Sequence, residues 1–361
     1  MFPPVTRVCD LRASTEKADI EGYDVPAVEL WIRDHLEEWR PPFIWTRLTE
    51  GHSNLTYLLE DTIGTRAVIR RPPMGELHPG AHDMHREYRV ISALWETGVP
   101  VAQPYGECQD SSVTGANFYV MGFIDGNCLN TPERMRESIP TAERRLHCGE
   151  SLVDVLAALH SLNPDEIGLG SLSRQDDYAG RQLRAWYRSW TTSAVAASYD
   201  DPRVHEIHDF LWARRPATTE SRLLHGDYGL HNCIVGADAA IAAVVDWELA
   251  SLGDAMSDLA YVVNQLVQPS DSGPPGKSHI LSMELMRRDE LIRRYQDRTA
   301  SDLSSLDYYI ALNLWRSACI FHGVYTRYVL GQKPTVGIDV EQFREDIDIC
   351  IGKAEAAVAE L

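Results

Sequence analysis

The chain has 361 residues, 44% hydrophobic and 24% charged, which is the mixture of a folded globular protein with room for roughly two lobes. Acidic side chains outnumber basic ones by 53 to 34, for a formal charge of −19, which argues against a nucleic-acid or anionic-membrane partner because either would demand neutralisation of many phosphates. A nucleotide remains admissible, since backbone N–H groups, a few arginines and a divalent cation can overcome the global field locally. The seven cysteines (Cys9, Cys108, Cys128, Cys148, Cys233, Cys319 and Cys350) contain no C-x-x-C pair and predict reduced thiols. MFPPVTRVCDLRAS has no basic segment leading into an apolar one, and no apolar run of about 18 residues occurs. The expectation is a cytoplasmic protein with no obligate protein partner.

In chain order, VPAVELWIRDHLEEW (residues 25–39) has helical spacing of Val28, Trp31, Ile32 and Leu36 and ends before Pro41. FIWTRLTE, LTYLLED and RAVIRRP follow as short runs rich in β-branched and aromatic residues, predicting an antiparallel meander. Residues 81–98 return to helical period. PYGECQD and NFYVMGFIDG supply two more strands, with Gly122 and Gly126 expected at a hinge. From Thr141 helices dominate, at 141–162, 181–193, 202–214, 254–267, 305–330 and 339–361, interrupted between Arg222 and Asp246 by the strand-like pieces RLLH, NCIVG and AIAAVVD. The fold class is therefore α+β in two lobes: a small antiparallel sheet with a helix over residues 1–124, and a mainly helical lobe over 125–361.

Most of the chemistry is in LLHGDYGLHNCIVGADAAIAAVVDWE, where Asp227, Asn232 and Asp246 stand on and after one polar turn between strands. Phosphoryl transfer from a nucleoside triphosphate needs a carboxylate at the acceptor hydroxyl and oxygen ligands for Mg²⁺, with the carboxylate and one ligand on a shared loop. Each residue alone is an ordinary turn former, but the triple in this context is not. DSGPPGKS lacks the first glycine of a P-loop, HEIHD lacks the spacing of a zinc motif, and no G-x-S-x-G elbow is present.

HGDYGLHN together with VVDWELASLGDAMSDLA resembles the aminoglycoside phosphotransferase family, small-molecule relatives of the protein kinases with the same two-lobed fold. The resemblance covers nearly the whole chain and is nearest to the branch fused, in animals, to acyl-CoA dehydrogenases. It implies an ATP- or GTP- and Mg²⁺-dependent phosphotransferase acting on a hydroxyl of a small molecule, aminoglycoside-like or hydroxyacyl-CoA-like. Asp227 would be the catalytic aspartate, Asn232 and Asp246 the metal ligands, and Asp258 the aspartate that braces the catalytic loop. EGHSN (Gly51, His52, Ser53, Asn54) resembles the nucleotide-covering loop. YVMGFIDG resembles the interlobe segment, in which Met121 would flank the purine and the backbone from Gly122 to Ile124 would hydrogen-bond it.

Strand alternation in RAVIRRP puts Val68 and Arg70 on one face and Ile69 and Arg71 on the other. Aligned with the V-A-I-K strand of kinases, Arg70 stands where a phosphate-binding lysine is usual, so a nucleotide-binding pseudokinase is the alternative reading. Glu87 falls inside the apolar stripe Met84, Tyr88, Ile91 and Leu94, where a carboxylate needs a partner, and Arg70 is the one expected. Arg181, Arg184 and Arg188 form a basic stripe interleaved with Trp186, Tyr187 and Trp190, a candidate grip for an anionic substrate tail.

Overall fold

The computed structural model describes residues 20–37, 39–48, 54–75, 82–129, 131–173, 176–217, 220–266, 285–333, 335 and 337–361. The chain opens with α1 (Val25–His35), begun by Asp24, whose carboxylate accepts from the N–H of Ala27. It continues through β1 (Ile44–Arg47), β2 (Leu55–Glu60), β3 (Arg66–Arg71), α2 (Met84–Leu94), β4 (Pro104–Cys108) and β5 (Phe118–Gly122). These strands make the expected five-stranded antiparallel sheet, in the order β1-β2-β3-β5-β4. Alternation sorts its two faces. Tyr57, Ala67, Ile69, Phe118 and Val120 pack with Val28 and Ile32 of α1, whereas Tyr119 on the opposite face packs with Met84, Val90, Ile91 and Leu94 of α2.

The helical part holds α3 (Pro132–Ser138), α4 (Ala142–Ser161), α5 (Tyr178–Ala197), α6 (Pro202–Arg214), α7 (Met256–Gln265), α8 (Arg288–Thr299), α9 (Leu306–Val329) and α10 (Val340–Ala359). Two small antiparallel ribbons are set into it: β6 (Arg222–Leu224) with β9 (Ser251–Gly253), and β7 (Cys233–Val235) with β8 (Ile241–Val244). The loop 225–232 joins β6 to β7, and the DWE turn joins β8 to β9, so two ribbons aim the motif residues at one place. No helix among the described residues is long and apolar enough to cross a membrane.

Several expectations are corrected. α2 begins at Met84 rather than Ala81 because Asp83 is the N-cap, accepting from the N–H of Arg86, and its apolar stripe runs through Val90, with Tyr88 only half-buried. α3, α8 and β9 escape pattern reading. α8 (RDELIRRYQDRT) buries only Leu291 and Tyr295, and is tethered instead by Arg294 and Arg298 on Asp154 of α4, at 2.8 and 3.0 Å. Gly126 is a docking point rather than a hinge: an added Cβ would lie 2.5 Å from Ile234 Cγ2 and 2.6 Å from Val235 O. The next residue, Asn127, exchanges two 2.9 Å backbone hydrogen bonds with Val235.

Strand parity at Arg70 and Arg71 holds, but Arg71 is no idle surface residue. It is 4% exposed, donates to the carbonyls of Gly22, Thr114 (2.8 Å) and Pro72 (3.2 Å), and lies 5.6 Å from the Tyr23 ring. It ties the segment before α1 to the outer face of the sheet. Arg71→Ala is therefore expected to lower stability by about 2 kcal/mol, the scale of charge-assisted hydrogen bonds lost from a buried site, with the Michaelis constant for nucleotide unchanged. Thermal unfolding beside nucleotide titration checks both parts.

Candidate phosphotransfer site

Arg70 is the junction between the sheet and the helical part. Its side chain is 13% exposed, its Nε lies 3.0 Å from Glu87 Oε2, and its Nη2 donates to Asp246 Oδ1 at 2.5 Å. Burial disfavours the guanidinium charge, but Glu87 and then Asp246 outweigh that, so its pKa moves further up. Glu87 is 1% exposed and is held from two more sides, by Asn54 Nδ2 on Oε1 (3.2 Å) and the Tyr119 hydroxyl on Oε2 (2.9 Å). Its carboxyl is pushed up by burial, which the Arg70 charge only partly offsets. The Arg70–Glu87 pair expected from helix periodicity is thus formed. Asn54, expected in a phosphate-covering loop, instead places its side chain in the buried network around Glu87. Gly51 and Ser53 of that loop lie outside the described residues, as does the DSGPPGKS stretch.

Asp246 takes a left-handed conformation (φ 67°, ψ 58°) that turns the chain from β8 into the DWE turn. Glu248, two residues on, was not singled out by the sequence. A carboxylate oxygen from each of Glu87, Asp246 and Glu248 can be chosen so that all lie within 4.8 Å of one another. Burial and the Asp246 charge push the Glu248 carboxyl up, with Arg70 opposing. Three carboxylates against one guanidinium leave excess negative charge, and the donors are all hard oxygens, so the set fits a divalent cation of the Mg²⁺ or Ca²⁺ type. Asn232 is 8% exposed and its amide N–H₂ donates to Asp227 O (2.9 Å) and Oδ2 (3.0 Å), leaving its carbonyl oxygen as a further donor for a cation.

The loop carrying Asp227 is fixed largely through its backbone. Asp258 on α7, 1% exposed, accepts from the N–H groups of His225 (2.6 Å) and Gly226 (3.0 Å). Burial opposes its charge, but His160, 3.6 Å away, and His225 outweigh that and hold its carboxyl down. This is the bracing arrangement that the sequence resemblance implied for Asp258. His225 donates from Nε2 to Val245 O (2.9 Å) and accepts the Asp227 N–H on Nδ1 (3.3 Å), which fixes its neutral tautomer. Gly226 is required at φ 85°, because a Cβ there would stand 2.8 Å from Leu249 O.

The Asp227 carboxylate, one third exposed, accepts from the Tyr261 hydroxyl at 2.5 Å and lies 3.3 Å from His231 Nε2. Burial would raise its pKa, but His231 and the hydrogen bond from Tyr261 outweigh that and bring it down to about 2. Tyr261 and His231 were not identified from the sequence. The visible signal for Tyr261 was its place one turn after Asp258 on an apolar helix.

Met121 packs on the cleft side of β5, and Ile124 is half-buried just beyond it. Gly122 is corrected in one respect: its N–H is already donated to Gln103 O at 2.8 Å, so it is not available to a base. The segment that follows is clamped by Arg66, which pairs with Asp125 at 2.6 Å and lies 4.3 Å from the Phe123 ring. Of the basic stripe, Arg184 is taken by Asp177 at 3.0 Å, Arg188 is exposed, and Arg181 turns inward, donating to Leu252 O at 3.0 Å.

A family model described as "Phosphotransferase enzyme family" matches residues 44–302. Acyl-CoA dehydrogenase family member 11 of Gallus gallus is 32% identical over 291 residues, covering 78% of this chain and 36% of that protein. The Homo sapiens protein of the same name is 30% identical over 349 residues, covering 92% and 42%. The chain thus spans less than half the length of these curated relatives. Among solved structures, a "putative aminoglycoside phosphotransferase" of Ralstonia eutropha superposes with a TM-score of 0.76 at 28% identity, covering 92% of this chain and 99% of that one. An aminoglycoside phosphotransferase in ternary complex with AMP-PNP and hygromycin B shares the fold, with a TM-score of 0.57 at 16% identity over 92% and 98% of the two chains.

Arg70→Ala and Glu87→Ala are each expected to weaken use of nucleotide about tenfold, the worth of one charge-assisted contact. The double variant should lose less than the product, because the two act as one unit. Initial-rate kinetics of the four proteins test this; simple additivity would break the pairing.

Proposed function

This chain belongs to the phosphotransferase enzyme family of aminoglycoside phosphotransferase-like proteins, and from that premise we propose that it transfers the γ-phosphoryl group of ATP to a hydroxyl of a small molecule. The observation that carries the proposal is the convergence of four side chains from three separate segments, Arg70 of β3, Asp227 and Asn232 of the loop 225–232, and Asp246 of the DWE turn, between sheet and helices. We assign residues 1–124 to nucleotide binding and 125–361 to the catalytic loop and acceptor.

Arg70, oriented by Glu87, presents a guanidinium to the phosphates; arginine in place of lysine keeps the charge and adds a fork. Met121 and the backbone up to Ile124 border the base, with Gly51 and Ser53 assigned to the phosphate-covering loop. Asn232, Asp246 and, added here, Glu248 would hold a divalent cation, taken as Mg²⁺, which when bound supplies neutralising charge to the nucleotide's phosphates. The acceptor oxygen forms the new P–O bond as the bond from the γ-phosphorus to the β,γ-bridging oxygen breaks, and ADP leaves. The acceptor proton passes toward the Asp227 carboxylate.

A carboxyl held at about 2 is a weak base. In a loose, metaphosphate-like transition state the attacking oxygen needs alignment more than early deprotonation, and Asp227, gripped by Tyr261 and Asn232, supplies alignment. The single feature that favours a nucleotide sensor without turnover is the arginine at position 70, and Mg²⁺-dependent ADP release with acceptor separates the two readings.

Asp227→Asn is expected to keep nucleotide affinity while kcat falls about 100-fold or more; near-normal turnover would remove the assignment. Asp246→Ala should abolish the Mg²⁺ dependence of nucleotide binding measured by calorimetry. Because the folded pKa of Asp227 is lowered, its charged form adds stability above the usual carboxylate range, and this is lost only as pH falls toward about 2. The profile of kcat/KM should accordingly show no acid limb due to Asp227 between about pH 5 and 8.

A further inference from the structure

Behind the loop that carries Asp227 lies a buried charge that the phosphate-binding set does not include. Arg316, on α9, is 8% exposed and pairs with no carboxylate among the described residues. Its Nη2 donates to Gly226 O at 3.1 Å, and its Nε is enclosed without a hydrogen-bond partner. The guanidinium lies 5.3 Å from the Trp186 ring and 6.0 Å from the Tyr261 ring, both of which reach the surface in part. The buried Arg70 has Glu87 and Asp246; Arg316 has two aromatic faces and one carbonyl, too little to balance a desolvated cation.

A second guanidinium stands nearby in a similar condition. Arg181 has Nη1 enclosed without a hydrogen bond, and its carboxylate neighbour Asp176 is 3.8 Å away and 72% exposed. Both charges act on the hydroxyl of Tyr178, which is fully enclosed and bonded to Ser257 Oγ at 3.2 Å. Arg316 is also tied to the reacting centre. Gly226 directly precedes Asp227, and the Tyr261 ring beside Arg316 carries the hydroxyl that donates to Asp227. One tyrosine side chain therefore separates the guanidinium from the carboxylate that aligns the acceptor.

We propose that Arg316, backed by Arg181, binds an oxyanion of the acceptor lying a few bonds from the hydroxyl that is phosphorylated. The acceptor is then a small hydroxy acid or an alcohol bearing a phosphate, and not a polycationic aminoglycoside, whose ammonium groups would meet like charge here. Trp186 offers an apolar face for the short chain between the two groups. This inference rests on the phosphotransferase reading and narrows its substrate class.

The test uses the full chain with ATP and Mg²⁺ and acceptors matched in length that differ only at one end: hydroxycarboxylates, alcohol phosphates, diols and amino alcohols. ADP release and product mass are followed. An anionic series should exceed the diols and amino alcohols in kcat/KM by about tenfold or more, and its carboxylate and phosphate arms tell the two oxyanions apart. Arg316→Met should raise KM for the anionic acceptor about 30-fold and erase its advantage over the diol, with KM for ATP unchanged, while Arg316→Lys retains part of it. Should Arg316→Met not fold, unreactive carboxylates of the same length must still compete with the acceptor on the wild-type protein, and the matching amines must not. Preference for amino alcohols, or an equal loss for anionic and neutral acceptors in Arg316→Met, overturns the inference. A protein that binds ATP but phosphorylates nothing overturns the phosphotransferase reading. In that event carboxylate binding by calorimetry decides the anion site alone, present in wild type, weakened in Arg316→Lys and lost in Arg316→Met, or else absent and the site refuted.

Discussion

The ion pair of Arg70 with Glu87, extended to Asp246, is what the remaining architecture serves. The cost of placing this guanidinium out of water is met by carboxylates on two sides, and that brings β3, α2 and the DWE turn together at one point. The sheet supplies Arg70 by strand parity, α2 supplies Glu87 from its first turn, and the β7–β8 ribbon ends on the left-handed Asp246. Arg86, one residue before Glu87, donates to the carbonyls of Leu172 (3.2 Å) and Ala250, so the same helix that carries the buried carboxylate also grips the helical lobe. Packing and electrostatics thus meet on one helix that joins the sheet to the helical lobe.

A second constraint acts on the loop 225–232 from beneath. Asp258 accepts from two backbone N–H groups, Arg316 donates a hydrogen bond to the Gly226 carbonyl, and His225 bridges to Val245. None of these bonds depends on the side chains of residues 228–231, apart from the packing of Tyr228 and Leu230. His160 continues the brace to Tyr295 on α8, its Nδ1 and the tyrosine hydroxyl sharing a 2.7 Å hydrogen bond. A polar helix that looks peripheral in sequence is in this way wired to the residue beside Asp227.

Where the sequence was legible, periodicity and chemistry agreed. Parity separated Arg70 from Arg71, and a carboxylate inside an apolar stripe announced the partner of Arg70 before any coordinates. The Asp227, Asn232 and Asp246 set was visible because its spacing carries a reaction. What stayed hidden depends on contacts far apart in the chain. Arg316 lies 90 residues from Gly226, and nothing in LWRSACIF marks it as other than a helical arginine. Glu248 gains meaning only when α2 brings Glu87 beside it. The partners of Arg71 were hidden for a related reason: parity tells which face a side chain takes but not what covers that face, and here the segment before α1 does.

The docking of Gly126 and Asn127 onto β7 has a mechanical corollary. Because the linker is bonded to the ribbon that follows Asn232, a change in the angle between sheet and helices would bend the chain upstream, within residues 123–125, leaving the end of β5 with the sheet and Asn232 with the linker. Arg66 spans that short flexure, pairing with Asp125 and lying against Phe123 from its place at the start of β3. A solvent-facing ion pair thus lies across the one stretch where a change in the angle between sheet and helices would be taken up, at the surface and away from Asp227.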